Sequence, residues 1–412
     1  MSTNTAALPK ITPSASAERR WCAGFFLVGV LLGLPGSLLV TWQYHIEARP
    51  ETIGLHFLAL DVGYVCCAFG AQRVLHRSRP WAIGSVSAVL AAGSLFCLSL
   101  VAPPVADGWR MAALGLLGGA AGALLASLLY GLEPEFSASP GPVTNRASIL
   151  FGSGCLVSTV AVAATYFTGW PPAPTLILGA VGLPFAGLVP RDRLTKNEPD
   201  TMRRPDAPHE SVKDLRSIAA VLFTLLLFFQ FGNEWAIAGW LPLFLIHRLG
   251  TNPVWAICAL TAYFGALILG RLIAQAVLPR LRHSSLMVAA MGTAAAGCVS
   301  LSLTNTFAGA VTAVVIVGAA FALMFPFIGE RLDDRFSYHP GFYSNASSIA
   351  ISGAMCVPWL LGYMAAWSGL RYVMFVPAAG SIVVLILALL IVLEAHLMNA
   401  NDQAKAPSGR SV

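Results

Sequence analysis

The chain has 412 residues, 57% hydrophobic and 11% charged, with a formal net charge of +6 and a mean hydropathy of +0.72. Soluble domains carry about 25% charged residues, so a water-soluble globule is excluded. The basic residues are scattered through loops between apolar runs instead of forming one patch, which excludes nucleic-acid binding.

A membrane helix needs roughly 20 apolar residues to cross about 30 Å of hydrocarbon. The first twenty residues are polar and form an N-terminal tail. The run that opens at Trp21 is too long for a signal-peptide core and reads as a first helix near 21–44. Gly33, Pro35 and Gly36 permit bending there. Trp42 fits an interfacial anchor, and Gln43 is a candidate substrate contact. Further runs near 53–75, 81–101, 109–131, 146–169 and 172–189 complete a six-helix bundle over 21–189. The fourth is rich in small residues, among them Gly115, Gly118, Gly119 and Gly122, which predicts close helix packing. A polar linker over 190–216 follows. Runs near 217–246, 254–278, 284–303, 306–329, 342–367 and 371–394 build a second bundle over 217–395, with a tail over 396–412. The fold class is all-α: twelve transmembrane helices in two six-helix repeats.

About 20 of the 25 Lys and Arg lie on one side if the N-terminus is cytoplasmic. Only Arg49, Arg110, Arg248 and Arg371 then fall at the outer ends. Both termini and the linker are therefore expected inside, and the compact loops point to a bacterial inner membrane. The eight cysteines fall in or beside apolar runs without metal-type spacing and read as small membrane-buried side chains.

The two halves echo each other. Phe25-Phe26-Leu27-Val28-Gly29 recurs as Phe228-Phe229-Gln230-Phe231-Gly232, and Ala71-Gln72 recurs as Ala274-Gln275, both at an offset of 203 residues. Asn145-Arg146-Ala147-Ser148-Ile149 matches Asn345-Ala346-Ser347-Ser348-Ile349 at an offset of 200. Matches in register at half the chain length indicate a duplicated unit, and an even number of spans per unit makes the repeat parallel.

These features resemble the major facilitator superfamily over nearly the whole chain. That family carries Gly-x-x-x-Asp-Arg-x-Gly after its second helix. Here Leu75-His76-Arg77 stands in that place, with His76 for the Asp, and the second-half counterpart is Gly270-Arg271 followed by Leu278-Pro279-Arg280. Within the superfamily, Gly232-Asn233-Glu234, Gly239-Trp240-Leu241, Phe325-Pro326 and Pro358-Trp359-Leu360 resemble the fucose-permease-like branch of sugar:proton symporters. The carboxylates which those transporters use in their first and fourth helices have no counterpart. The resemblance implies a substrate site at the midplane between the halves, alternating access by rocking, a small-molecule substrate and protons as partners, and a monomer in the bilayer.

Charge at the bilayer centre marks function, and Asp61, Glu234 and Arg271 stand deep in apolar runs. Gln230 precedes Glu234 by one turn and shares its face, and Asn233 borders it. A buried carboxyl there suits proton exchange. The other reading is a structural carboxyl pinning two helices. Asp61 fits a second proton site or a structural bond. Tyr263 and Trp359 are placed for stacking on a substrate or for packing. Arg271 is read as a gate or structural residue, beside Arg77 and Arg280. Glu330, Arg331 and Asp333 form an inner charge cluster that salt-bridges the gate or is simply solvated.

No Walker-type loop, metal spacing or nucleophile–base set occurs in the sequence, so neither an enzyme nor a cofactor is expected. Proton-coupled symport of a small organic solute is the preferred function. Proton-coupled efflux of amphipathic compounds and a non-transporting sensor on the same fold are the alternatives.

Overall fold

A computed structural model of the protein describes residues 15–47, 49–75, 77–132, 140–187, 218–277, 283–335 and 340–405. Among them every regular element is helical. The first half holds α1 (Ala15–Gly33), α2 (Pro35–Thr41), the short α3 (Tyr44–Glu47), α4 (Pro50–Leu75), α5 (Pro80–Leu100), α6 (Asp107–Gly131), α7 (Pro140–Tyr166) and α8 (Ala173–Gly187). The second holds α9 (Ile218–Leu249), α10 (Pro253–Val277), α11 (His283–Leu303), α12 (Phe307–Arg335), α13 (Pro340–Ser368) and α14 (Phe375–Lys405). Among the described residues, ten helices are long and apolar enough to cross a bilayer alone, and α1 with α2 forms an eleventh, bent span. The shorter α8 completes the twelve.

The first span departs from the single helix expected over 21–44. α1 and α2 meet at 44° around Leu34, because Pro35 has no N–H to give the preceding turn and its ring crowds that turn. Other ends differ as well, among them the start of α7 at Pro140 instead of near 146. α12 runs on through Glu330, Arg331 and Asp333 to Arg335, and α14 continues into the stretch read as a tail. Neither extension contains a proline, and both are rich in helix formers. Arg280, His76, Pro279, Glu133, Glu135 and the whole 190–216 linker lie outside the described residues.

Small residues set the packing. A Cβ on Gly63 would collide with the Gly115 carbonyl, one on Gly118 with the Leu60 carbonyl, and one on Gly122 with the Tyr64 carbonyl. α4 and α6 thus touch backbone to backbone, as the glycines of the fourth span predict. Leu90, Phe96, Leu116, Ile382 and Leu389 are exposed on the perimeter, an apolar girdle suited to lipid. Of the cysteines, all free, Cys155 and Cys298 are buried in protein, whereas Cys66 and Cys67 lie exposed on the flank of α4.

The halves meet along two seams. α4 faces α13, and α7 faces α10. With the charge-based orientation naming the faces, the first seam is in contact at its outer end, where Gly54 lies against Gly362 and the Trp359 carbonyl. It is in contact again at its inner end, where Gln72 Nε2 donates to Ser344 Oγ at 2.9 Å. The second seam is bridged by Thr261 to Thr159 at 3.2 Å and by Arg271 to the Ser148 carbonyl at 2.8 Å. At the outer side α2 crosses α9, with Gly36 on the Ala238 carbonyl.

Candidate functional site

Halfway along α9, Glu234 is 4% exposed. Its two oxygens are occupied. Gln230, one turn earlier on the same face, donates from Nε2 to Oε1 at 2.9 Å. Arg271 of α10 donates to Oε2 at 3.2 Å. The same guanidinium donates through Nη1 to the Ser148 carbonyl of α7, so it ties the carboxylate of one half to the backbone of the other. The Tyr263 hydroxyl donates to the Glu234 backbone carbonyl at 3.1 Å. Phe151, Cys155, Trp235, Tyr263 and Phe264 join the charged pair around a cavity of about 10 Å³, enough for roughly one water. Its aromatic rings meet edge to face: Trp235 lies 6.2 Å from Phe151 and 6.2 Å from Phe264.

The structure therefore gathers Gln230, Glu234, Tyr263 and Arg271 at one point between the halves. Arg271 is buried within the protein, where the Glu234 carboxylate offsets its charge. The other candidates lie elsewhere. Asn233 is a third of a turn round from Glu234 and is pressed against Gly380 of α14. Gln43 is exposed on the outer turn with φ of 63°, a left-handed turn residue away from the cavity. Trp359 is partly buried at the outer end of the α4–α13 seam, 6.0 Å edge-on to Tyr363. Arg77 is exposed in the turn between α4 and α5.

Asp61 forms a separate site. It is 5% exposed and crosses the α4–α13 seam: its Oδ2 accepts from Ser352 Oγ and from Cys356 Sγ, both at 3.1 Å. Sequence reasoning did not single out that pair of donors. Their i, i+4 spacing on an uncharged helix was the available signal.

A third polar group, also missed, closes the outer end of the first half. The Tyr44 hydroxyl donates to Asp107 Oδ1 at 2.8 Å, accepts from Arg110 at 2.8 Å, and lies 2.9 Å from His56 Nε2. Arg110 also pairs with Asp107 at 3.1 Å and stands over the rings of Trp42 and Tyr44. Trp42, 4% exposed, is thus a partner of Arg110 inside the protein instead of a lipid-facing anchor. Burial, followed by the Asp107 hydrogen bond, pushes the Tyr44 phenol above its ordinary value. This group pins the turn after α2 to α4 and α6.

The profile described as Major Facilitator Superfamily matches residues 21–352. The chain belongs to the Major Facilitator Superfamily. Its members are transporters rather than enzymes, and the chain is accordingly a multi-pass membrane protein built for secondary transport of small solutes. No curated protein matches it in sequence. Among solved structures it is similar to a single-residue variant of the Escherichia coli fucose:proton symporter FucP, at 18% identity and a TM-score of 0.62, covering 90% of this chain and 98% of that one. FucP in an outward conformation gives the same values. A bacterial homologue of the human lysosomal transporter Spinster, inward-facing and unoccupied, is similar at 12% identity and a TM-score of 0.67, covering 92% and 98%. Those likenesses show the fold.

Proposed function

We propose that this major facilitator protein carries a small amphipathic organic solute by proton-coupled alternating access, with the Glu234–Arg271 pair as the polar end of the binding site. The observation that supports this reading is the double engagement of Arg271, which holds Glu234 on its own half and the Ser148 carbonyl on the other. A solute whose polar group bonds to Glu234 or Arg271 competes directly with the contact that ties the halves together. An apolar or planar face of the same solute is accommodated by Phe151, Trp235 and Phe264. Because the closed cavity holds about one water, a solute enters only when the halves separate at one face. FucP is a fucose:proton symporter, which favours symport and a proton as coupling ion. The bacterial inner membrane with both termini cytoplasmic is the setting that the loop charges favour.

The test is uptake of labelled sugars and amphipathic compounds into proteoliposomes containing the native chain, Glu234→Gln or Arg271→Gln. Hydrogen bonds to a charged group contribute about 1.5–3 kcal/mol, so each variant should lose at least about tenfold in apparent affinity. Uptake in both variants equal to the native level would overturn the assignment.

A further inference from the structure

We infer that Asp61 is the proton-binding group of this transporter, holding its proton while the α4–α13 seam is closed and releasing it when that seam parts. The inference rests on the alternating-access reading and adds to it the identity of the coupling site.

The argument begins with what surrounds the carboxyl. Ser352 and Cys356 of α13 both donate to Oδ2, and Oδ1 is buried with no partner. No charged residue occurs anywhere in α13. The titratable groups that face Asp61 are the Cys356 thiol from α13 and the Tyr64 hydroxyl from α4 itself. α6 contributes Gly115 and Gly118 beside it and carries its charges, Asp107 and Arg110, only at the outer end. The remaining charged residues of α4, Glu51 and Arg73, stand at its two ends. α9 meets this part of α4 with Gly239 on Phe57, and its own carboxylate is taken by Arg271. Among the described residues no cation faces Asp61.

An ionised carboxylate so placed is costly, and two weak neutral donors do not replace a cation. The neutral acid avoids that cost. Glu234 differs, because a guanidinium stands 3.2 Å away and offsets its ionised form. Two buried carboxyls on facing halves therefore divide the work: the paired one meets the solute, and the lone one meets the proton.

The seam supplies the coupling. α4 is locked to its own half through the glycine contacts with α6, and both donors to Asp61 belong to the opposite half. Parting the seam removes Ser352 and Cys356 and admits water, which solvates the carboxylate, and the proton passes to that water. Closing the seam again requires a proton to be taken up from whichever face was last open. Solute-driven closure and proton uptake are thus one event.

The experiment is attenuated-total-reflection infrared spectroscopy of the full chain in lipid bilayers, in D2O, titrated with pH in the absence of any solute. A carbonyl stretch from a protonated buried carboxyl should be present at neutral pH, absent in Asp61→Asn and retained in Glu234→Gln. Should Asp61→Asn fail to fold, Ser352→Ala combined with Cys356→Ala keeps the carboxyl and removes its donors, and the band should then shift. A band unmoved by either set of changes, or lost when sodium chloride replaces choline chloride at constant pH, would overturn the proton assignment, the latter in favour of a sodium site. Because no solute is present, the band is independent of the uptake test, and failure of one reading is distinguishable from failure of the other.

Discussion

Removal of either partner of the Glu234–Arg271 pair should destabilise the protein far more than removal of both. The two side chains are 5% and 4% exposed and 3.2 Å apart. At an effective dielectric near 20, unit charges at that distance attract by about 5 kcal/mol. Truncating one partner leaves the other charge buried and alone, at a cost of about 3–5 kcal/mol. Replacing both with apolar groups of similar volume is often close to neutral. Glu234→Leu and Arg271→Met alone should each lower the unfolding temperature sharply, followed by tryptophan fluorescence in detergent. The double variant should recover most of the loss, so that its destabilisation falls well below the sum of the two single losses. Loss in the double variant equal to the sum of the single losses would show that the pair does not act as a unit.

Three further outcomes follow from the packing and from the outer cluster. Gly63→Ala sets a Cβ against the Gly115 carbonyl, where backbone cannot move aside. It should cost about 1–3 kcal/mol or more, whereas Gly70→Ala, with nothing within 4 Å, should be neutral or slightly stabilising in the same thermal assay. Trp240→Phe removes the bond from Nε1 to the Pro358 carbonyl at 2.9 Å and should cost about 1 kcal/mol, read as a lowered unfolding temperature. The Tyr44 phenol, raised first by burial and then by Asp107, keeps its proton in the fold after the unfolded chain begins to lose it. Its contribution is complete below its ordinary value of 10.0 and declines as pH rises above it. Unfolding temperature in Tyr44→Phe should therefore fall less between neutral pH and strongly alkaline pH than in the native chain.

The span count, the parallel halves and the pairing of Gln230 with Glu234 were legible because each rests on composition or on a signal within one helix. Apolar runs of membrane length report themselves, and Gln230 and Glu234 are one turn apart, so their shared face follows from helical period alone. Contacts between helices were less legible. Arg271 reads as a gate or structural residue, and only the packing of α10 on α9 and α7 brings it to Glu234. Asn233 is adjacent in sequence to Glu234, yet the helical step of one residue carries it to α14. The Pro35 bend was visible as a possibility in the sequence, but the 44° angle depends on the neighbours that receive α2. Gln43 stands exposed in a left-handed turn after α2, and one glutamine carries no sign of that turn. The cluster of Tyr44, His56, Asp107 and Arg110 is assembled from three separate segments, and no local spacing announces it.

Alternating access requires the halves to part at one face while they meet at the other, around the Glu234–Arg271 site between them. Spin labels at Gln43 and Asn252 would report the outer separation, and labels at Arg77 and Gln275 the inner one, in the same chain reconstituted in bilayers, with distances read by pulsed dipolar spectroscopy. On addition of a transported compound or a change of pH the two distance distributions should shift in opposite directions, the outer pair lengthening as the inner pair shortens or the reverse. A single unchanging distribution at both faces across that range would contradict alternating access.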